Sequence, residues 1–338
     1  MSATRVRAPD TLPTRTVDTR PLWLVPVLAL CALPLIGSWP TWTTLTVAGL
    51  AMGMIIFVMA SGLALVFGLM NVLNLGHGVF ITFGAFVATS ALGWMTQWSQ
   101  SPSPLVNLAA IVPVMMLAMA SAALVGWAFE RVIIRPVAGQ PLKLLLTTLG
   151  GMTIGEELLK IVWGADPIVL QLPAGLQGSF LVGGAVIEKY RLAAALAGLV
   201  VFLALTWILN RTKLGLLIRA GVQNREMVES LGYRIRRLFV GAFIAGTALA
   251  ALGGVMWGLY EQVVDAHIGG STLVLAVIVI IIGGLGSMGG CLIGSLLVGL
   301  LTNYAGFLVP KLTLVSDILL MVLVVLWRPE GLYPVVRH

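Results

Sequence analysis

The chain has 338 residues, 59% of them hydrophobic and only 10% charged, with a formal net charge of +7. A soluble domain carries about 25% charged residues, so there is too little polar material here to clothe a water-exposed surface, in line with a mean hydropathy of +1.03. The composition excludes a soluble globular protein and predicts an all-α polytopic membrane protein with about 8–10 transmembrane helices.

The chain opens with a polar extension, residues 1–21, that carries Arg5, Arg7, Arg15 and Arg20. The apolar run after it, PLWLVPVLALCALPLIGSW, lacks a small-x-small cleavage site before the next span and is read as a retained first helix. No Asp, Glu, Lys or Arg occurs between Arg20 and Glu130, or between Asp265 and Lys311. Apolar segments fall near 22–39, 43–68, 79–95, 105–129, 142–163, 190–209, 238–260, 271–286, 290–309 and 313–327. With both termini inside, sixteen Lys and Arg residues fall on inside segments and four on outside ones, which is the expected bias of cytoplasmic loops. The domain reading is a cytoplasmic extension (1–21), a transmembrane permease domain (22–327) with a cytoplasmic loop at 210–237, and a cytoplasmic tail (328–338).

Between the second and third segments, FGLMNVLNLGHGVFITFGAF (67–86) puts Asn71, Asn74, Gly76, His77 and Gly78 between two apolar stretches. Polar groups at membrane depth must be buried in protein or line a wet cavity. The stretch therefore reads as a tight turn at the inner surface, with Asn71 or Asn74 capping the next helix, or as a turn that also lines a pathway. The fifth segment carries Glu156, Glu157 and Lys160, and an i,i+4 pair of Glu156 with Lys160 would lessen the cost of their burial. One carboxylate there could instead meet a substrate ammonium group.

The loop NRTKLGLLIRAGVQNREMVESLGYRIRR (210–237) holds seven basic residues. Leu214, Leu217 and Ile218 share one helical face, and so do Met227 and Leu231, with Gly221 and Gly232 as punctuation. The pattern predicts short amphipathic helices on the cytoplasmic face, anchored on anionic lipid or flanking a docking site for a soluble partner.

Further on, VIVIIIGGLGSMGGCLIGSLLVGLL contains Gly284, Gly286 and Gly289 in a G-x-G-x-x-G spacing. That fingerprint binds dinucleotides in a strand–turn–helix unit with an acidic residue about 20 positions on. Here the next acid is Asp317, inside the following apolar run, and no Lys follows the glycines. The stretch is read as a helix interrupted by a glycine turn. Gly49/Gly53, Gly254/Gly258 and Gly290/Gly294 have the spacing of small residues that lets helices approach closely in lipid. Cys31 and Cys291 are read as small core residues, and no metal-ligand spacing is present.

Four ordered stretches carry a family resemblance. GLLIRAGVQNREMVESLGY in the long loop resembles the coupling segment of the branched-chain amino acid type permeases of binding-protein-dependent ABC importers. GLALVFGLMNVLNLGHGVFITFGAFVA (62–88), GGLGSMGGCLIGSLLVGLL (283–301) and RPEGLY (328–333) resemble further motifs of that family, more closely those of the first, H-type, of its two paired permeases. The chain departs from the pattern at Val79, where many relatives carry Glu, and at Val228 and Ser230, where alanine is frequent. The resemblance implies a substrate pathway that includes Asn71, Asn74, His77, Gly78, Gly284, Gly286 and Gly289. It implies coupling to the ATPase through Arg219, Asn224, Glu226 and Gly232. It also implies two ABC ATPase subunits, a second permease that is a paralogue, a periplasmic or lipid-anchored solute-binding protein and membrane lipid as partners. No catalytic residue, cofactor, metal or nucleic acid is expected, since ATP is used by the partner subunits. The expected solute is a branched-chain or other amino acid, with urea, a short amide or an organic acid as further options. The rival expectation is a stand-alone secondary transporter or channel.

Overall fold

The computed structural model describes residues 20–70, 73–223 and 225–333. In chain order the helices are α1 (Leu24–Ile36), α2 (Trp39–Met70), α3 (His77–Trp94), α4 (Thr96–Ser99), α5 (Pro104–Phe129), α6 (Pro141–Trp163), α7 (Lys189–Arg211), α8 (Lys213–Gln223), α9 (Arg225–Ser230), α10 (Ile235–Glu261), α11 (Ile268–Gly283), α12 (Met288–Leu308) and α13 (Thr313–Trp327). Four short strands, β1 (Ile168–Val169), β2 (Ser179–Val182), β3 (Ala185–Glu188) and β4 (Val263–Val264), make two antiparallel pairs, β1 with β4 and β2 with β3.

Among the described residues seven helices are long and apolar enough to cross a membrane. Two shorter apolar helices, Pro21–Ile36 and Ile268–Gly283, add to them. The 23-residue α6 is long enough to span but carries Lys143, Glu156, Glu157 and Lys160. Together these elements match the ten apolar segments, so the chain is an all-α polytopic membrane protein.

α2 is the axis of the bundle. A helix that is apolar all round must be surrounded by protein or lipid, and α2 is enclosed by protein: Ile55, Ile56, Phe57, Val58, Met59 and Ala60 are all fully buried. It packs on α12, α10 and α7. Small residues set these contacts: Gly49 and Gly53 lie against α12, and Gly253 of α10 against Met59. In lipid, close van der Waals packing of this kind replaces the hydrophobic drive between helices. The outward sides of α5, α6, α7 and α13 expose leucine, isoleucine and valine, as lipid contact requires. Cys291 is buried as expected, but Cys31 is exposed on α1. α1 covers only one edge of the bundle, so most of its apolar surface faces outward.

The two ends of the bundle differ. One gathers the end of α5, the segment α8–α9, the start of α10 and the chain end, and holds Arg131, Arg135, Arg211, Lys213, Arg219, Arg234, Arg236, Arg237 and Arg328; it is called the basic face. There the glycine turn between α11 and α12 has Gly284 at φ 98° and Gly286 at φ 83°. The tail docks on it: Leu332 and Tyr333 donate backbone N–H bonds to the carbonyls of Ile282 and Gly283, at 2.9 and 3.0 Å.

The opposite face carries both strand pairs. The β2–β3 hairpin leans on α2, where Thr44 accepts the N–H of Val186 at 3.0 Å, while Phe180, Leu181 and Val182 stay exposed. Trp163 at the end of α6 donates to the Ser90 hydroxyl at 2.7 Å.

Candidate functional site

The start of α3 lies deep inside the bundle. The Nε2 of His77 is 3.2 Å from the carbonyl oxygen of Met59, eleven residues before the end of α2, or about 16 Å along the helix at 1.5 Å per residue. The chain therefore turns back into the protein before α3 begins, and the reading of a turn confined to the inner surface is corrected. The turn is held by its own polar groups. The Asn74 carbonyl accepts the N–H of His77 at 3.2 Å, and its side-chain Oδ1 accepts the N–H of Gly76 at 3.1 Å. Leu75 donates its N–H to the Thr148 hydroxyl of α6 at 3.3 Å. The residue that caps α3 is Gly76, not an asparagine.

Gly78 and Gly269 meet at this level, and a Cβ on either would collide with the other's backbone. Thr82 accepts the N–H of Gly269 at 2.9 Å. The first turns of α3 and α11 thus converge in the interior, α3 leading to the opposite face and α11 to the basic face.

Two polar atoms at this crossing have no protein partner among the described residues, Asn74 Nδ2 and His77 Nδ1. Asn74 is 3% exposed and His77 is fully enclosed. His77 Nε2 faces a carbonyl and so donates to it; in the neutral ring this leaves Nδ1 as an acceptor. Each such buried polar atom costs about 1–3 kcal/mol when unsatisfied.

Beside them, rings from three helices, α3, α5 and α10, pack together. Phe80 meets Phe129 edge-on at 5.4 Å, and Phe129 stacks on Phe243 at 6.3 Å and 14°. The Phe129 ring also lies against Gly76 and Gly151.

The anticipated pathway residues fall into two groups rather than one. Asn74, His77 and Gly78 share the interior crossing. Gly284 and Gly286 belong to the turn at the basic face, where Gly286 packs on Gly68 and Gly284 on Tyr333, and Gly289 is exposed. Asn71 lies outside the described residues. On α6, Lys160 pairs with Glu157 at 2.8 Å, three residues away, rather than with Glu156, which lies beside Gly270 at the start of α11.

The basic face presents the second candidate site. Gly215 lies against the backbone of Leu209, which folds α8 back beside the end of α7, and Leu65, Leu209, Ile218 and Ala242 pack together beneath it. Leu214 and Leu216 remain exposed. α9 ends where the N–H of Gly232 reaches the carbonyl of Glu229 at 3.0 Å, with Gly232 at φ 84°. Met227 and Leu231 are 60% and 65% exposed, which leaves them open to membrane lipid or to a soluble partner, the two alternatives the sequence offered. Val228 is the residue turned inward, at 4% exposed, so it is not offered to a partner. The Ser230 hydroxyl donates to the Met227 carbonyl at 2.7 Å. Arg219 reaches Asn210 at 3.2 Å. Glu226 lies on α9, and Asn224 is outside the described residues. A cavity of about 450 Å³ opens beside α9, lined by Glu229, Gly232, Tyr233, Ile235 and the arginines 234, 236 and 237. The signal for this outward apolar patch was the pairing of Met227 with Leu231; which way it faced depended on Val228.

A bundle of membrane-spanning helices with half-helices meeting inside it has the architecture of a membrane transport subunit. The chain belongs to the family described as branched-chain amino acid transport system / permease component, whose profile matches residues 45–327. It is 28% identical over 292 residues to the high-affinity branched-chain amino acid transport system permease protein BraD of Pseudomonas aeruginosa, covering 85% of this chain and 94% of that one. It is 26% identical over 291 residues to the corresponding permease LivH of Escherichia coli K12, covering 84% and 92%. A probable LivH of Methanocaldococcus jannaschii is 23% identical over 294 residues, covering 82% and 88%. No solved structure matches the chain. The protein is a multi-pass transport permease, not an enzyme.

Proposed function

We propose that the chain is one of two permease subunits of a binding-protein-dependent importer in the cytoplasmic membrane, with its basic face in the cytoplasm. Two ABC ATPase subunits dock on α8–α9. A paralogous permease completes the pathway, and a periplasmic or lipid-anchored binding protein delivers solute to the opposite face. The solute is a small amino acid, first of all one with a branched aliphatic side chain, as the relatives' names indicate for those proteins.

The observation that carries the reading is the exposure of Leu214, Leu216, Met227 and Leu231 among basic residues. Exposed apolar side chains within a polar rim mark protein–protein or membrane contact, and the family's membership in transport systems favours the protein partner. ATP hydrolysis belongs to the partners, since this sequence holds no G-x-x-x-x-G-K-[ST] loop. The interior crossing supplies the polar seam, with Asn74 and His77 offering one donor and one acceptor to a passing solute. The test is uptake of labelled L-leucine into proteoliposomes that hold the permease pair, the ATPases and the binding protein. Accumulation that needs ATP and the binding protein is expected. Accumulation by this chain alone, without nucleotide, would establish a stand-alone carrier and overturn the proposal.

A further inference from the structure

A second cavity, of about 320 Å³, lies at the basic face between the end of α5 and the start of α10. Its charged residues are Glu130, Arg135 and Arg236, and Ile134, Val240 and Phe243 form apolar wall. From this chemistry we propose that the cavity is a binding site for the zwitterion of an aliphatic α-amino acid. The proposal rests on the reading of an amino-acid solute given above.

Local structure brings the charges together. After Phe129 the chain does not continue as α-helix but makes a π-helical turn, Glu130–Ile134, in which the N–H of Arg135 bonds the Glu130 carbonyl. Such turns occur frequently at functional sites. Glu130 at the start of the turn and Arg135 just after it both line the cavity, together with Arg236. Among the described residues the ion pairs join Lys160 to Glu157 and Arg191 to Glu188, and neither involves these three. One carboxylate and two guanidinium groups are thus held near one cavity without neutralising each other.

An aliphatic amino acid matches that set. Its ammonium group meets Glu130. Its carboxylate takes the forked donors of Arg135 or Arg236, the geometry that favours arginine at carboxylates. Its hydrocarbon lies on Ile134, Val240 and Phe243. The volume falls at the lower end of small-molecule sites, about 300–1,000 Å³. An anionic lipid headgroup would use the arginines but would be repelled by Glu130.

The place in the fold gives the site its role. Phe243 is the cavity wall and also stacks on Phe129, whose ring lies against Gly76 in the turn that carries Asn74 and His77. One layer of aromatic rings therefore separates the cavity from the interior crossing, and the cavity is where solute is held on its way to the cytoplasm.

The test measures binding of labelled L-leucine to the assembled permease–ATPase complex, without binding protein, in nanodiscs of phosphatidylcholine or phosphatidylglycerol. ATP-dependent leucine uptake by the wild-type complex is recorded in parallel. Glu130→Gln and Arg236→Gln are each expected to weaken binding roughly tenfold, the effect of one lost charge-assisted hydrogen bond. Leucinamide should be indifferent to Arg236→Gln, and 4-methylpentanoate to Glu130→Gln. Ala138→Trp, which fills the cavity and removes no charge, should also block leucine. Unchanged leucine binding in all three variants, with wild-type uptake intact, overturns the site and spares the importer reading. Loss of leucine binding in phosphatidylglycerol, with tighter lipid binding in Glu130→Gln, assigns the cavity to lipid and overturns the proposal. Absence of leucine uptake by the wild-type complex overturns the amino-acid reading and the site with it.

Discussion

Gly78 and Gly269 touch through their backbones at the first turns of α3 and α11, with Thr82 receiving the Gly269 N–H at 2.9 Å. Two half-helices can start side by side in the interior only because neither residue has a side chain. Gly269→Ala should cost about 1–3 kcal/mol, the usual penalty for forcing a methyl into a filled core. Gly150→Ala, where nothing lies within 4 Å of the added methyl, should leave stability unchanged within about 0.5 kcal/mol. Thermal unfolding of the purified permease in detergent checks the contrast. Equal melting temperatures for the two variants would contradict the close approach.

The outward patch on α9 separates docking from folding. Leu231 is exposed, so Leu231→Asp should hold permease stability within about 0.5 kcal/mol. It should remove the ATPase subunits from the purified complex and abolish coupled hydrolysis. Co-purification at wild-type yield would argue that the patch faces lipid or solvent.

Gly232 tests the same segment through its backbone. At φ 84° a side chain costs about 1–2 kcal/mol, and Gly232→Ala is expected to loosen the end of α9. The expected result is ATP hydrolysis that no longer responds to solute, with the melting temperature of the transmembrane bundle retained. Hydrolysis that still rises on addition of the loaded binding protein would show that this turn is not part of the coupling.

Asp317 of α13 is 1% exposed, and both its carboxylate oxygens lie 3.0 Å from the Thr302 hydroxyl of α12. Asp317→Asn keeps a hydrogen-bonding partner for Thr302 and should be tolerated. Asp317→Ala removes it and leaves a small void, at a cost of about 1–3 kcal/mol. Melting temperatures in the order wild type, Asn, then Ala support an interhelical tie. A fall in uptake without a fall in stability would instead give Asp317 a part in transport.

Glu157 and Lys160 form an ion pair with Glu157 largely exposed. Exposed pairs contribute about 0–1 kcal/mol. Replacing both by Gln should leave stability and leucine uptake within about twofold. A tenfold loss of uptake would place this pair on the solute route.

The helices were legible because each is an apolar run bounded by polar or glycine residues, and hydropathy needs no tertiary information. The α8–α9 segment was legible from its spacing of leucines and its glycine stop. The depth at which α3 begins was not, because it depends on His77 meeting Met59, a neighbour set by the fold. Lys160 could reach either glutamate, since three and four residues are both neighbours on a helix. The β2–β3 hairpin left a readable trace in Gly183-Gly184 between two apolar stretches, the sign of a two-residue hairpin turn. The Phe80–Phe129–Phe243 layer left none, because its rings come from three distant segments and each looks like an ordinary core residue.

The docking of Leu332 and Tyr333 on the end of α11 has a mechanical consequence. α11, the glycine turn, α12, α13 and the tail form a ring of chain closed on itself by two backbone bonds. With Gly331 also packed against Gly284, a displacement of that turn is expected to be felt by the tail as well as by α11 and α12.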